Sequence, residues 1–279
     1  MGFTWTNSFV SSEDGANASG GTTSTYDYFR VHTFSSSGTF TVSTAGYFDI
    51  LLVGAGGSGG SRTYADGNGG GGGGGAGGLV YQYDNVYMSA GDYTVTVGSI
   101  GSGTASSIVG DSINYSAAAG GNGRNGGSIG IDWDGGNGGS NAWYSGGLGG
   151  KFNSVDGGTG GGGAGAAGNG ESGSNYGDVP GGPGVYSSIT GTNEYYAYGG
   201  TGGQGYNPGS AHNGTPGAPG YVIIRYCIKK GNTITAAAMQ EIRENADSLH
   251  NTNNYCSTYY SSVNSSYKSS VNITYYNGT

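Results

Sequence analysis

The sequence predicts a mainly β protein: a β-sandwich with long glycine-rich excursions of polyglycine-II type, followed by a short α-helical C-terminal tail. Three observations carry that prediction. Runs of β-branched and aromatic residues between Gly, Ser and Asn turns recur over 26–53 and 79–113 and return only at 221–226. Between them the chain is saturated with glycine, 58 of its 66 glycines falling between residues 54 and 220, where an average domain carries about 7%. Only 9% of the 279 residues are charged, yet 24 are tyrosine. Low charge with abundant glycine suits a solvated coil, but so many large aromatic side chains do not.

The strands are expected in order. Tyr28–Phe34, Gly38–Ser43 and Tyr47–Val53 come first, separated by turns at Ser35–Gly38 and Thr44–Gly46. Tyr47–Val53 is almost continuously apolar, as a strand buried on both faces should be. Leu79–Tyr87 and Tyr93–Val97 form a hairpin through Ser89–Asp92, and short strands are expected around Ile108 and Ile113. Tyr221–Tyr226 is apolar enough for a central strand that closes the sheet begun far upstream.

The chain thus leaves and re-enters the sheet framework twice, through 54–78 and 119–220. A structureless loop of a hundred residues inside a domain is improbable, and Gly157–Gly165 lacks the side chains of an ordinary core. Extended segments with three residues per turn can instead pack backbone against backbone, bonded to neighbours and not within themselves. A collagen helix is excluded, because the Gly-x-y register breaks at Ala166-Ala167 and Glu171-Ser172.

The composition changes after Cys227. Thr235 caps a predicted helix over Ala236–Ala246, with Ala238, Ile242, Ala246 and Leu249 on one face, suited to docking or oligomerisation. Tyr255, Tyr259, Val263, Tyr267 and Val271 recur every fourth residue beyond it. The expected organisation is an N-terminal segment 1–25, a glycine-rich β-sandwich 26–231 and a tail 232–279. Whether Cys227 and Cys256 pair is left open by the sequence.

Chemistry-bearing motifs are scarce. Gly54-Ala55-Gly56-Gly57-Ser58-Gly59 fits the dinucleotide fingerprint after a strand, but no helix can follow it to hold a pyrophosphate. Asp132, Asp134, Asp156 and Asp178 are turn aspartates before they are metal ligands, and His32, His212 and His250 are scattered. No cofactor, metal site or catalytic residue is expected, and the chain does not read as an enzyme. A net charge of −8 argues against nucleic acid as a partner, and no apolar run approaches a membrane span.

The aromatics inside the glycine region remain as the candidate surface. Tyr64, Trp133, Trp143, Tyr144, Tyr176, Tyr186, Tyr195, Tyr196, Tyr198 and Tyr206 interrupt tracts without other large side chains. They either cover the bundle or form a loop-borne binding surface of rigid rings among Ser, Gly and Asn. Tyr64, Trp133, Trp143, Tyr144, Tyr176, Tyr186 and Tyr206 are the residues assigned to receptor binding.

Three stretches, Thr39–Val42 with Ile50–Gly60, Gly69–Gly98 and Gly217–Tyr226, together resemble the glycine-rich domain of bacteriophage tail and adhesin proteins over roughly 26–226. Ile234–Arg243 is similar to a short helix of phage tail-associated proteins. The resemblance implies a β-sandwich with glycine-rich loops in a virion, on a tail fibre or tail tip that touches the host, and it carries no catalytic residues. The expected partners are a bacterial surface receptor (protein or glycan), other virion proteins and further copies of the chain, a trimer among the assemblies considered. A head-fibre or capsid decoration protein is the alternative, and an enzyme degrading surface polysaccharide the second.

Overall fold

The computed structural model describes residues 15–61, 71–127, 134–151, 158–174, 177–204 and 214–228. Among them the protein is mainly β, with no helix. Twelve strands are β1 (Asn17–Ser19), β2 (Thr22–Tyr26), β3 (Phe29–Phe34), β4 (Gly38–Thr44), β5 (Gly46–Val53), β6 (Val80–Met88), β7 (Gly91–Thr96), β8 (Ser106–Gly110), β9 (Ile113–Ala117), β10 (Val185–Ser187), β11 (Glu194–Tyr196) and β12 (Tyr221–Cys227). One sheet has the order β1-β4-β7-β8-β9 and the other β2-β3-β12-β5-β6, while β10-β11 is a separate hairpin. Cys227 is disulfide-bonded. The other cysteine, Cys256, and the tail residues Ala238, Ile242, Ala246 and Leu249 lie outside the described residues.

Side-chain alternation explains why the central strands carry almost no polar residue. Along β5, Phe48, Ile50 and Leu52 enter the core between the two five-stranded sheets, with Phe34, Phe40, Tyr93, Ile108, Val222, Ile224 and Tyr226. Leu51 and Val53 point the other way, into a second core with Val31, Ile223, Ile189, Tyr196 and Ala197. The β10-β11 hairpin supplies part of that second layer, so β5 and β12 are covered on both faces. Their closure joins residues far apart in sequence, Val222 opposite Leu52 and Phe34.

Asp49 and Arg225, register partners on β5 and β12, are the polar interruption of the second core. Both are 7% exposed. Arg225 Nε donates to Asp49 Oδ2 at 2.8 Å, Arg225 Nη1 donates to Tyr26 Oη at 2.6 Å, and the guanidinium lies 4.6 Å from the Phe29 ring centroid. Asp49 Oδ1 also accepts the N–H of Asn85, which adopts φ 57° in the β6 bulge where Asp84 and Asn85 together face Asp49. The pair therefore fixes the kink in β6 as well as neutralising a buried charge.

Four strands lie where the sequence gives no strand signal. β2 reads Thr-Thr-Ser-Thr-Tyr and is exposed along nearly its whole length, so no apolar alternation announces it. The chain crosses from β1 in one sheet to β2 in the other through Gly20 and Gly21, at φ 115° and 62°. Side chains rarely take the angle at Gly20, and a Cβ at either position would fall closer than 3.0 Å to the carbonyl oxygen of Thr39 or Thr33. β10 and β11 have three residues each, too short for periodicity to emerge from the surrounding glycine.

Between the strands, the described glycine-rich stretches form ten extended segments: s1 (54–61), s2 (71–79), s3 (118–127), s4 (134–140), s5 (145–151), s6 (158–166), s7 (168–174), s8 (179–184), s9 (197–204) and s10 (214–220). Their hydrogen bonds run between segments and repeat every third residue. Gly73, Gly74 and Gly75 donate in turn to Arg124 of s3, Gly161 of s6 and Thr215 of s10. The carbonyls of the same three residues accept from Gly60 of s1, Gly139 of s4 and Gly200 of s9. Three donors and three acceptors pointing at six neighbours in one turn is a three-residue helix inside a hexagonal lattice, the polyglycine-II arrangement.

Segment s6 is the second centre. It bonds s2, s4, s5, s7, s8 and s9, sharing s4 and s9 with s2. The other eight segments close a ring of hydrogen-bonded neighbours in the order s1-s3-s4-s5-s7-s8-s9-s10. Two adjacent lattice points with all their neighbours make ten, which fixes a three-layer bundle of s3-s4-s5, s1-s2-s6-s7 and s10-s9-s8.

Position in this lattice dictates composition. Every described residue of s2 and s6 is buried, although the two carry hardly any side chain. A Cβ on Gly72, Gly73, Gly74 or Gly75 would fall closer than 3.0 Å to the carbonyl oxygen of Gly60, Asn137, Gly200 or Gly57. Rim segments face solvent once per turn and therefore tolerate one side chain in three. Segments s4 and s5 show this as Gly-Gly-Asn-Gly-Gly-Ser and Gly-Gly-Leu-Gly-Gly-Lys, with Asn137, Ser140, Leu148 and Lys151 exposed.

Candidate functional site

The rim side chains do more than avoid a clash. A rim segment turns one N–H per turn away from the lattice, and a polar side chain next door accepts it. Asn122 and Asn125 accept the N–H of Ser58 and Ser61, Asn137 that of Gly149, and Asn169 that of Ser145. Ser172, Ser140 and Thr215 serve Leu148, Gly146 and Thr201. Each of the four asparagines stands directly before a glycine, a signal that was available in the sequence but is masked by the abundance of both residues.

The lattice has two unlike ends. Successive segments alternate in direction, as the antiparallel pairing of s1 with s2, s3 with s4 and s6 with s7 shows. One end joins the sandwich. There Asn141, in the turn from s4 to s5, donates through Nδ2 to the carbonyls of Gly77 and Gly165, on s2 and s6. Its Oδ1 accepts the N–H groups of Trp143 and Tyr144. One side chain thus ties both central segments to a single turn.

Toward the opposite end, the described parts of the segments reach Ser61, Gly71, Gly127, Asp134, Lys151, Gly158, Ser174, Gln204 and Gly214. Lys151 Nζ donates to Asp134 Oδ2 at 2.6 Å across two of these ends, s5 and s4. Thr159, the one hydroxyl in a central segment, is fully buried near the same end; it donates to the Ser174 carbonyl and accepts the Ser174 N–H. At about 3.1 Å per residue, this end stands roughly 20 Å from the sandwich.

Of the aromatics assigned to binding, Tyr64, Trp133, Tyr176 and Tyr206 lie outside the described residues. Trp143, Tyr144 and Tyr186 are at the sandwich end. Trp143 is 52% exposed, with its ring 5.4 Å from Tyr81 of β6, and Tyr81 leads on to Tyr83, which stacks on Tyr115 at 4.1 Å. Tyr186 belongs to another cluster on the hairpin, 5.6 Å from Tyr195, which is 6.2 Å from Tyr198. Tyr196 alone of the hairpin tyrosines is buried, in the second core.

A family model described as a glycine-rich domain matches residues 33–227, from within β3 to the last residue of β12. The chain belongs to that family. The match covers both central segments, all eight rim segments and the closing strand, so the glycine-rich domain and the lattice-bearing sandwich are one unit here. β1 and β2 precede the matched region. No curated protein matches the chain.

Proposed function

We propose that this glycine-rich domain protein is a bacteriophage virion component, a tail-fibre or tail-tip adhesin that binds the host surface through the far end of its lattice. The observation that carries this reading is the alternation of ten segments. It brings the described segment ends that flank the connections 62–70, 128–133, 152–157, 175–178 and 205–213 to one end of a bundle whose other end is rooted in a sandwich. A lattice held by main-chain bonds constrains the connection sequences only at their roots, so their composition is free to follow a receptor. Tyr64, Trp133, Tyr176 and Tyr206 fall in those connections. The assignment to a virion rests on the resemblance of residues 26–226 to phage tail and adhesin proteins.

The test is adsorption of the purified full chain to a panel of bacterial cells, competed by excess unlabelled protein. Replacing Trp133 and Tyr206 together with alanine should abolish saturable binding while leaving the melting curve unchanged. Undiminished adsorption by that variant would remove the far end from the reading.

A further inference from the structure

We propose that a cleft at the sandwich end, distinct from the far-end connections, binds a neutral hexose unit. The cleft has a volume of about 430 Å³, within the range of small-ligand sites. Its floor is the outer face of β3 and β12, where Thr33, Tyr221 and Ile223 line it. Glu194 and Tyr196 of β11 form one wall and Pro219 of s10 the other. Three unlike elements of the fold meet here: a sheet, the hairpin and the last rim segment.

The lining suits a sugar in two respects. Its polar groups are few and oriented. Both oxygens of the Glu194 carboxylate are fixed, Oε1 accepting from Thr192 Oγ1 at 2.9 Å and Oε2 from Tyr196 Oη at 2.7 Å. Each oxygen keeps a further lone pair, so the carboxylate can accept from two neighbouring sugar hydroxyls without losing these partners. Burial, reinforced by the bond to Glu194, raises the Tyr196 phenol above its ordinary pKa, so it stays a donor at any pH the protein meets.

The remaining lining is hydroxyl and flat apolar surface. Thr33 and Thr190 add neutral donor–acceptor groups, while Tyr221 and Pro219 supply the apolar surface that the C–H face of a pyranose needs. A simple amine would use the carboxylate alone and leave the rest unoccupied. An anion would meet Glu194 directly.

The experiment is a titration of the full chain with the methyl glycosides of glucose, galactose and mannose, read by saturation-transfer NMR and calorimetry. At least one should bind saturably. Glu194→Ala should weaken it at least tenfold, and Thr33→Val, which removes one hydroxyl at constant shape, at least threefold. Trp133→Ala should leave it unchanged, which separates this cleft from the far-end reading. If Glu194→Ala fails to fold, Thr33→Val decides alone. No saturable binding by any of the three glycosides, or wild-type affinity in Thr33→Val, overturns the site. Binding of glucosamine or methylamine without any neutral glycoside overturns the ligand class.

Discussion

Replacing Gly74 by alanine distinguishes a lattice from a flexible glycine tract by its effect on stability. At an ordered position with room for a Cβ, a Gly→Ala change stabilises a protein by about 0.4–1 kcal/mol, because the unfolded chain loses conformational freedom, and in a flexible tract it changes little. Gly74 lies instead at the centre of s2, donating to Gly161 at 2.9 Å and accepting from Gly139 at 2.8 Å. An alanine Cβ would strike the carbonyls of Gly200 and Thr201 on s9, both closer than 3.0 Å. Those atoms are backbone and cannot rotate aside, so s9 itself must retreat.

Overpacking of this kind typically costs about 1–3 kcal/mol. A displaced s9 also weakens at least one bond, such as Gly200 N–H to Gly75 O at 2.7 Å, worth about 1 kcal/mol. Setting the unfolded-state gain against these terms leaves a net loss of about 2–3 kcal/mol. For a domain of this size that lowers Tm by roughly 4–12 °C. Urea and thermal unfolding of Gly74→Ala and of the rim variant Leu148→Ala make the comparison. Leu148 is 65% exposed, and its variant should stay within about 0.5 kcal/mol of the parent. A Gly74→Ala protein as stable as the parent, or more stable, would refute the lattice argument.

Three other outcomes follow from the same geometry. Asn141→Asp should cost about 1–3 kcal/mol, because it removes the donors serving Gly77 and Gly165. Asn122→Asp keeps its acceptor role toward Ser58 and should cost under about 0.5 kcal/mol; equal effects in urea melts would contradict this. His32 is 1% exposed, donates through Nδ1 to the Gly20 carbonyl at 2.7 Å, and has no partner at Nε2. Burial lowers its pKa, so below about pH 6.5 the unfolded chain takes up the proton first. Stability should then fall by about 1.4 kcal/mol per pH unit until the folded pKa is passed, and His32→Phe should remove that slope. The pairs Asn122-Gly123, Asn125-Gly126, Asn137-Gly138 and Asn169-Gly170 should resist deamidation while folded. Each glycine N–H that would attack the side-chain amide is donated to a neighbouring segment, and each asparagine Oδ1 is an occupied acceptor. Mass spectrometry after alkaline incubation in buffer and in urea measures this, and equal rates would disprove it.

Where burial selects side chains, the sequence could be read. Phe48, Ile50 and Leu52 face one core and Leu51 and Val53 another, so the continuous apolar run of β5 reported both layers, and Tyr221–Tyr226 reported its partner. The unbroken glycine of Gly71–Gly75 and Gly160–Gly163 stands in s2 and s6, where six neighbouring segments leave little room for a side chain. The exposed threonines of β2 and the three-residue strands of the hairpin left no comparable trace. Nor did the cleft around Glu194, which needs β3, β11, s10 and β12 together.

The amino-acid order by itself determined that this chain would be sheets interrupted by side-chain-poor extended segments, since both follow from which positions carry an apolar side chain or none. Which segment lies beside which and which asparagine serves which amide were decided only in three dimensions. The reason is physical. Lattice bonds join backbone groups that are chemically identical at every glycine, so partner choice is set by packing geometry and chain connectivity and not by residue identity.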